Sequence, residues 1–131
     1  MSPMTHHAID PELVGVPMQL SEGEASVQLL TTADMAADAR GLVHGGFVFG
    51  LADYAAMLAV NHMNVVLGAA ETRFVAPVRV GETVVARAKR VEQSGRKHRI
   101  EVSATVGEKV VMTGVFTAFV LDQHVLGPIQ P

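Results

Sequence analysis

Residues 44–61 read His44-Gly45-Gly46-Phe47-Val48-Phe49-Gly50-Leu51-Ala52-Asp53-Tyr54-Ala55-Ala56-Met57-Leu58-Ala59-Val60-Asn61, and this stretch decides the fold. Apolar residues fill almost every side of it rather than one stripe, the pattern of a helix buried all round. The run carries Asp53 at its middle and falls short of the ~20 residues that cross a bilayer, so it reads as a core helix and not a membrane anchor. It is predicted to run from Gly45 to about Asn61. Residues 31–41 mix Ala, Asp and Gly without a period and read as the loop that feeds it.

A helix buried on every side must be wrapped, and the flanking sequence supplies the wrapping. Residues 65–76, 83–93, 96–106 and 109–121 are rich in Val, Thr and Phe, and turn signals follow the first three at Pro77 through Gly81, Ser94-Gly95 and Gly107-Glu108. In the third of these segments His98, Ile100, Val102, Ala104 and Val106 alternate with Lys97, Arg99, Glu101, Ser103 and Thr105, so one face is expected dry and the other wet. Close joining predicts that consecutive strands pair antiparallel. Strands this long exceed the usual ~5–6 residues and suit a strongly curved sheet. Upstream, residues 16–20 and 25–32 flank Ser21-Glu22-Gly23-Glu24 and predict a hairpin, and Asp10-Pro11 looks like a short helix start. The fold class is α+β, with a hairpin, a central helix and four long strands curling around it.

With 131 residues, 49% of them apolar, the chain supports one core and reads as a single domain over residues 1–131, with 1–14 and 122–131 peripheral and the tail irregular. A net charge of -3 gives no global reason to expect nucleic acid or an anionic membrane as partner. The absence of cysteine excludes disulfides, thiolate metal sites and a Cys nucleophile. His6, His7, His62 and His124 show no metal-ligand spacing, so no metal is expected. The N-terminus lacks the charged start and apolar run of a signal peptide, which makes a cytoplasmic location the expectation.

Residues 41–53, Gly-Leu-Val-His-Gly-Gly-Phe-Val-Phe-Gly-Leu-Ala-Asp, continuing through Ala59 and Asn61, resemble the signature of the hotdog-fold acyl-CoA thioesterases, in particular the phenylacetate-degradation branch. The resemblance implies a long curved antiparallel sheet around one helix. It also implies dimers that often pair into tetramers, and hydrolysis of acyl-CoA without metal or organic cofactor. In this reading the Gly45 N–H at the helix N-terminus polarises the thioester carbonyl, with Gly46 leaving room beside it, and Asp53 is general base or nucleophile. An aspartate amid apolar neighbours is costly unless it is paired or used. A structural Asp and a plain glycine turn are the alternatives. Asp38 stands where related enzymes often carry Asn, and exposure to solvent is expected there.

Spacing adds a constraint independent of the resemblance. Gly45 and Asp53 are eight residues apart, ~12 Å along a helix, so one helix cannot hold both against one carbonyl. If both act, the carboxylate comes from a second copy across a two-fold axis. The resemblance implies an acyl-CoA substrate as partner, and the spacing implies at least a homodimer. Gly46, Gly50 and Met57 share Asp53's side and are candidates for a substrate groove. His44 positions substrate or water, bonds the loop or caps the helix. Tyr54 narrows the acyl pocket or packs in the core, and Asn61 caps the helix or joins the dimer seam. Arg87, Lys89 and Arg90, with Arg96, Lys97 and Arg99, form either a site for coenzyme A phosphates or a solvated sheet edge. Two other functions compete: a hotdog dehydratase or hydratase acting on acyl thioesters, and a non-catalytic acyl-CoA binding module.

Overall fold

The computed structural model describes residues 1–129. A short helix α1 (Pro11–Val14) precedes the hairpin β1 (Val16–Ser21) and β2 (Glu24–Leu30), and a 3-10 turn (Ala33–Met35) interrupts the loop expected over residues 31–41. The central helix α2 spans Gly45–Val60, and β3 (Val65–Phe74), β4 (Thr83–Ser94), β5 (Lys97–Val106) and β6 (Lys109–Val120) follow. After β6 the chain forms no helix or strand as far as Ile129; the irregular tail expected at Gln130 and Pro131 lies outside the described residues.

All six strands form one antiparallel sheet in the order β1-β2-β4-β5-β6-β3. The expected alternation in β5 is present: His98, Ile100, Val102 and Ala104 are buried while Lys97, Arg99 and Glu101 are exposed. One expectation fails. β3 does not pair with β4, although they are consecutive; it pairs with β6 at the far edge of the sheet, and β4 instead pairs with β2. The reason lies in residues 75–82, which form a crossover and not a hairpin turn. Val78, 3% exposed, is drawn into the core, its carbonyl accepts from the Val43 N–H, and Leu42 bridges Arg79. The hairpin and the four long strands thereby become one surface around α2.

The sheet covers one side of α2. Leu51, Ala52, Ala55, Ala56 and Leu58 are fully buried, the alanines letting the strands approach closely while each Leu contributes roughly 1.5–3 kcal/mol of burial. The N-terminal segment runs along another side. The Val14 side chain lies 3.9 Å from where a Gly50 Cβ would be, and the His6 and Tyr54 rings are 5.6 Å apart. Asn61 ends the helix in the left-handed conformation, accepts from the Met4 N–H at 2.8 Å and donates to the Ser2 carbonyl at 3.0 Å. The short residue that can adopt positive φ is thus also the clamp for the first residues of the chain.

Candidate functional site

The start of α2 is built by backbone chemistry. His44 sits at the N-cap in extended conformation, and its Nδ1 accepts from the Gly46 N–H at 2.8 Å, which places the ring proton of the neutral imidazole on Nε2. The His44 carbonyl accepts from the Phe47 N–H at 3.1 Å, and its own N–H donates to the Met35 carbonyl at 2.8 Å. Among the described residues no acceptor meets the Gly45 N–H. A donor left over at a helix N-terminus, with the positive end of the helix dipole behind it, is poised for a carbonyl oxygen or an anion. Asp38 holds the approach: its Oδ1 accepts from the Arg40 N–H at 2.9 Å and the Leu42 N–H at 3.2 Å, so this exposed side chain also organises the loop.

Beside Gly45 opens an apolar pocket of about 320 Å³ walled by Leu42, Val48, Phe74, Val75, Pro77 and Val111. A Cβ built on Gly45 would stand 3.5 Å from the Phe74 ring, ordinary contact distance, so that ring lies directly over the glycine. Phe74 closes β3, an edge strand that among the described residues has no partner on its outer side, and is 53% exposed. Sequence reasoning missed this pocket. Its walls come from the loop, the helix, two strands and the crossover, and no local spacing joins them.

Asp53 lies mid-helix with its Oδ1 buried and without a hydrogen-bond partner. Burial raises its pKa from 3.8 to about 6, because removing water penalises the charged form and no cation compensates. Such a carboxylate is a stronger base than an exposed one and still ionises near neutral pH.

The other proposed site residues divide. Gly46 adjoins His44 at the helix start. Gly50 is half-buried with the Val14 side chain of α1 beside it, and Met57 is buried at 1% exposure, so Met57 lies beneath the surface that Gly46 and Gly50 share. Tyr54 is buried against His6, and burial raises its pKa. The six basic residues do not form one patch either. Arg87 and Lys89 stand exposed on the sheet's outer face, whereas Arg90, on the opposite parity, reaches Glu22 at 2.8 Å, and Arg96 pairs with Asp122. On the outer face Lys89 lies opposite Glu101 and Arg99 opposite Glu92, so the charges there alternate in sign. Among the described residues no three His, Asp or Glu side chains gather as metal ligands would, and no helix is long and apolar enough to cross a membrane.

A helix whose N-terminus faces an apolar slot, enclosed by a curved sheet, is the arrangement of the hotdog fold, and similarity to known proteins agrees. The thioesterase superfamily model matches residues 40–113, and the chain belongs to that superfamily. An uncharacterized protein from Pyrococcus horikoshii has a similar structure, with TM-score 0.96, 51% identity, and coverage of 97% of this chain and 98% of that one. A variant of the phenylacetic acid degradation protein PaaI from Thermus thermophilus aligns with TM-score 0.78 and 34% identity over 85% of this chain and 97% of that one. The chain is also 48% identical over 119 residues to the methylthioribose-1-phosphate isomerase of Aquifex aeolicus, covering 90% of this chain but only 26% of that protein. It is 28% identical over 116 residues to the transcription factor FapR of a Thermoanaerobacter strain, covering 88% of this chain and 58% of FapR. The chain therefore spans about a quarter and somewhat over half of these two curated relatives.

Proposed function

We propose that the protein is an acyl-CoA thioesterase. The Gly45 N–H binds the thioester carbonyl oxygen, and Asp53 of a second subunit acts on the same carbonyl, as base for water or as nucleophile. The observation that carries this reading is the unpartnered Gly45 donor at the mouth of an apolar pocket, on the same helix as an unpartnered buried carboxylate. Hydrolysis needs both a donor for the developing oxyanion and a base. The observed helix runs unbroken from Gly45 past Asp53, so ~12 Å of axial rise separates them within one chain, and the pairing requires two copies.

The test uses two variants. Gly45→Pro deletes the N–H but suits the first helical position, since His44 already has the extended backbone that precedes proline. Asp53→Asn deletes the base. Each alone is expected to lose ~10²–10³-fold in turnover of acyl-CoA. Co-refolded at equal amounts, random pairing gives mixed dimers in which one of the two sites is intact, restoring about a quarter of parental activity. Mixtures no more active than the separate variants would end the shared-site reading. The match to a transcription factor favours one second reading, a binding module without turnover, for which we propose an acyl-CoA as the ligand. Tight binding of an acyl-CoA with no thiol release by the parent protein would establish it instead.

A further inference from the structure

The slot beside Gly45 has a chemistry of its own, and its use as an acyl pocket rests on the thioesterase reading above. We infer that it accepts neutral apolar acyl groups, rejects acyl groups with a charged or strongly polar far end, and is sized by Phe74. Every side chain lining it is aliphatic, aromatic or proline, and none donates or accepts a hydrogen bond or carries charge. Arg40, Arg73 and Arg79 are close in sequence to the walls, but none lines the slot, and by register Arg73 lies opposite Thr113 on the sheet's outer face.

Part of the wall backbone is occupied as well. The N–H groups of Val75 and Ala76 donate to the Val111 carbonyl at 2.9 and 3.3 Å, and the Val43 N–H to the Val78 carbonyl at 2.9 Å. A carboxylate carried past Gly45 into this slot would lose its water and find no cation and no side-chain donor. An alkyl or phenyl group would lose nothing by entering. With Gly45 at the mouth, an acyl carbonyl bound to its N–H directs the acyl tail into the slot. A volume of about 320 Å³ holds ~10 groups the size of a water molecule, which sets the class at acyl groups of up to about ten carbons.

Phe74 is the largest of the exposed walls, which also include Val75 and Leu42. It is half exposed at the end of the edge strand, whereas Val43, Val48, Val78 and Val111 are buried. Its ring stands in contact distance over Gly45, so trimming it lengthens the slot without opening the core.

The experiment measures thiol release and, by calorimetry on Asp53→Asn, binding, for butanoyl-, hexanoyl-, octanoyl-, dodecanoyl- and adipoyl-CoA. Binding is expected to rise about fourfold per methylene up to the slot's capacity. Adipoyl-CoA is expected to fall at least a hundredfold below hexanoyl-CoA in kcat/KM. Phe74→Ala is expected to raise the dodecanoyl-to-hexanoyl ratio about tenfold and to leave adipoyl-CoA excluded. Adipoyl-CoA within tenfold of hexanoyl-CoA in both readouts would overturn the inference. So would Phe74→Ala with an unchanged chain-length profile, including the case in which it dissociates subunits and proves to be a subunit contact. Selective binding without thiol release would uphold the slot while refuting the thioesterase reading, so the two failures are distinct.

Discussion

The buried carboxyl of Asp53 costs stability in the ionised form that its proposed role requires, and the size of that cost can be worked out. In the unfolded chain the group titrates near 3.8, and in the folded protein near 6. The folded value is raised, so the folded state holds its proton more tightly. Stability from this group is fully present below pH 3.8 and is lost as pH rises through 6. At ~1.4 kcal/mol per pH unit, the ionised carboxylate costs about 0.5 kcal/mol at pH 4 and about 3 kcal/mol at pH 8. Water reaching the part of the side chain that stays exposed makes the larger figure an upper value. Asp53→Asn keeps the shape and removes the ionisation. Urea unfolding of parent and variant, at one fixed protomer concentration, is expected to show the variant gaining on the parent by about 2.5 kcal/mol between pH 4 and pH 8. The comparison cancels His6 and His98, whose pKa values burial lowers. Their contribution has the opposite sign, present above pH 6.5 and lost as pH falls. A difference that is flat with pH, or that shrinks toward pH 8, would refute the claim that Asp53 is an uncompensated buried acid.

Three further outcomes are expected from the same geometry. If Asp53 acts as base or nucleophile, kcat/KM for a good acyl-CoA should fall about tenfold per pH unit below about pH 6 and level off above it, and a profile flat from pH 5 to 8 would remove Asp53 from that role. His44→Ala should cost ~1 kcal/mol in urea unfolding, because the Gly46 N–H loses its acceptor, while His44→Asn, which can cap, should cost less than half of that; equal losses would show that the cap contributes nothing. Asn61→Gly keeps the left-handed helix end but releases Met4 and Ser2, so amide exchange should quicken in residues 2–7 with α2 unaffected, and unchanged exchange there would deny Asn61 its clamping role.

Much of the fold was legible because its strongest signals are local. A helix apolar on all sides demands enclosure, and the alternation of Lys97 through Val106 gives the dry and wet faces of a strand without reference to any neighbour. The pairing of β3 was not legible. Pro77 through Gly81 has turn residues, but whether they make a tight turn or a crossover depends on the burial of Val78 and on its bond to Val43, thirty-five residues away in sequence. The placement of the basic residues from Arg87 to Arg99 was not legible for a related reason. A bulge between Arg90 and Glu92 shifts the alternation, and Arg90 finds Glu22 on the hairpin turn, so nearness in sequence did not put these charges on one surface.

For the site the division is sharper. The sequence by itself determined the chemistry on α2: an N-terminal glycine pair, a histidine able to cap it, and an acid two turns on whose distance from the glycines is set by helix geometry alone. Only the tertiary structure decided which donor remains free, since that depends on the His44 ring and carbonyl taking the Gly46 and Phe47 N–H groups. It alone placed the apolar slot beside Gly45 under Phe74, and drew Met57 into the core. Hydrogen-bond spacing within a helix is fixed by covalent geometry. Which of its faces stays open is fixed by the elements that pack against it from distant parts of the chain.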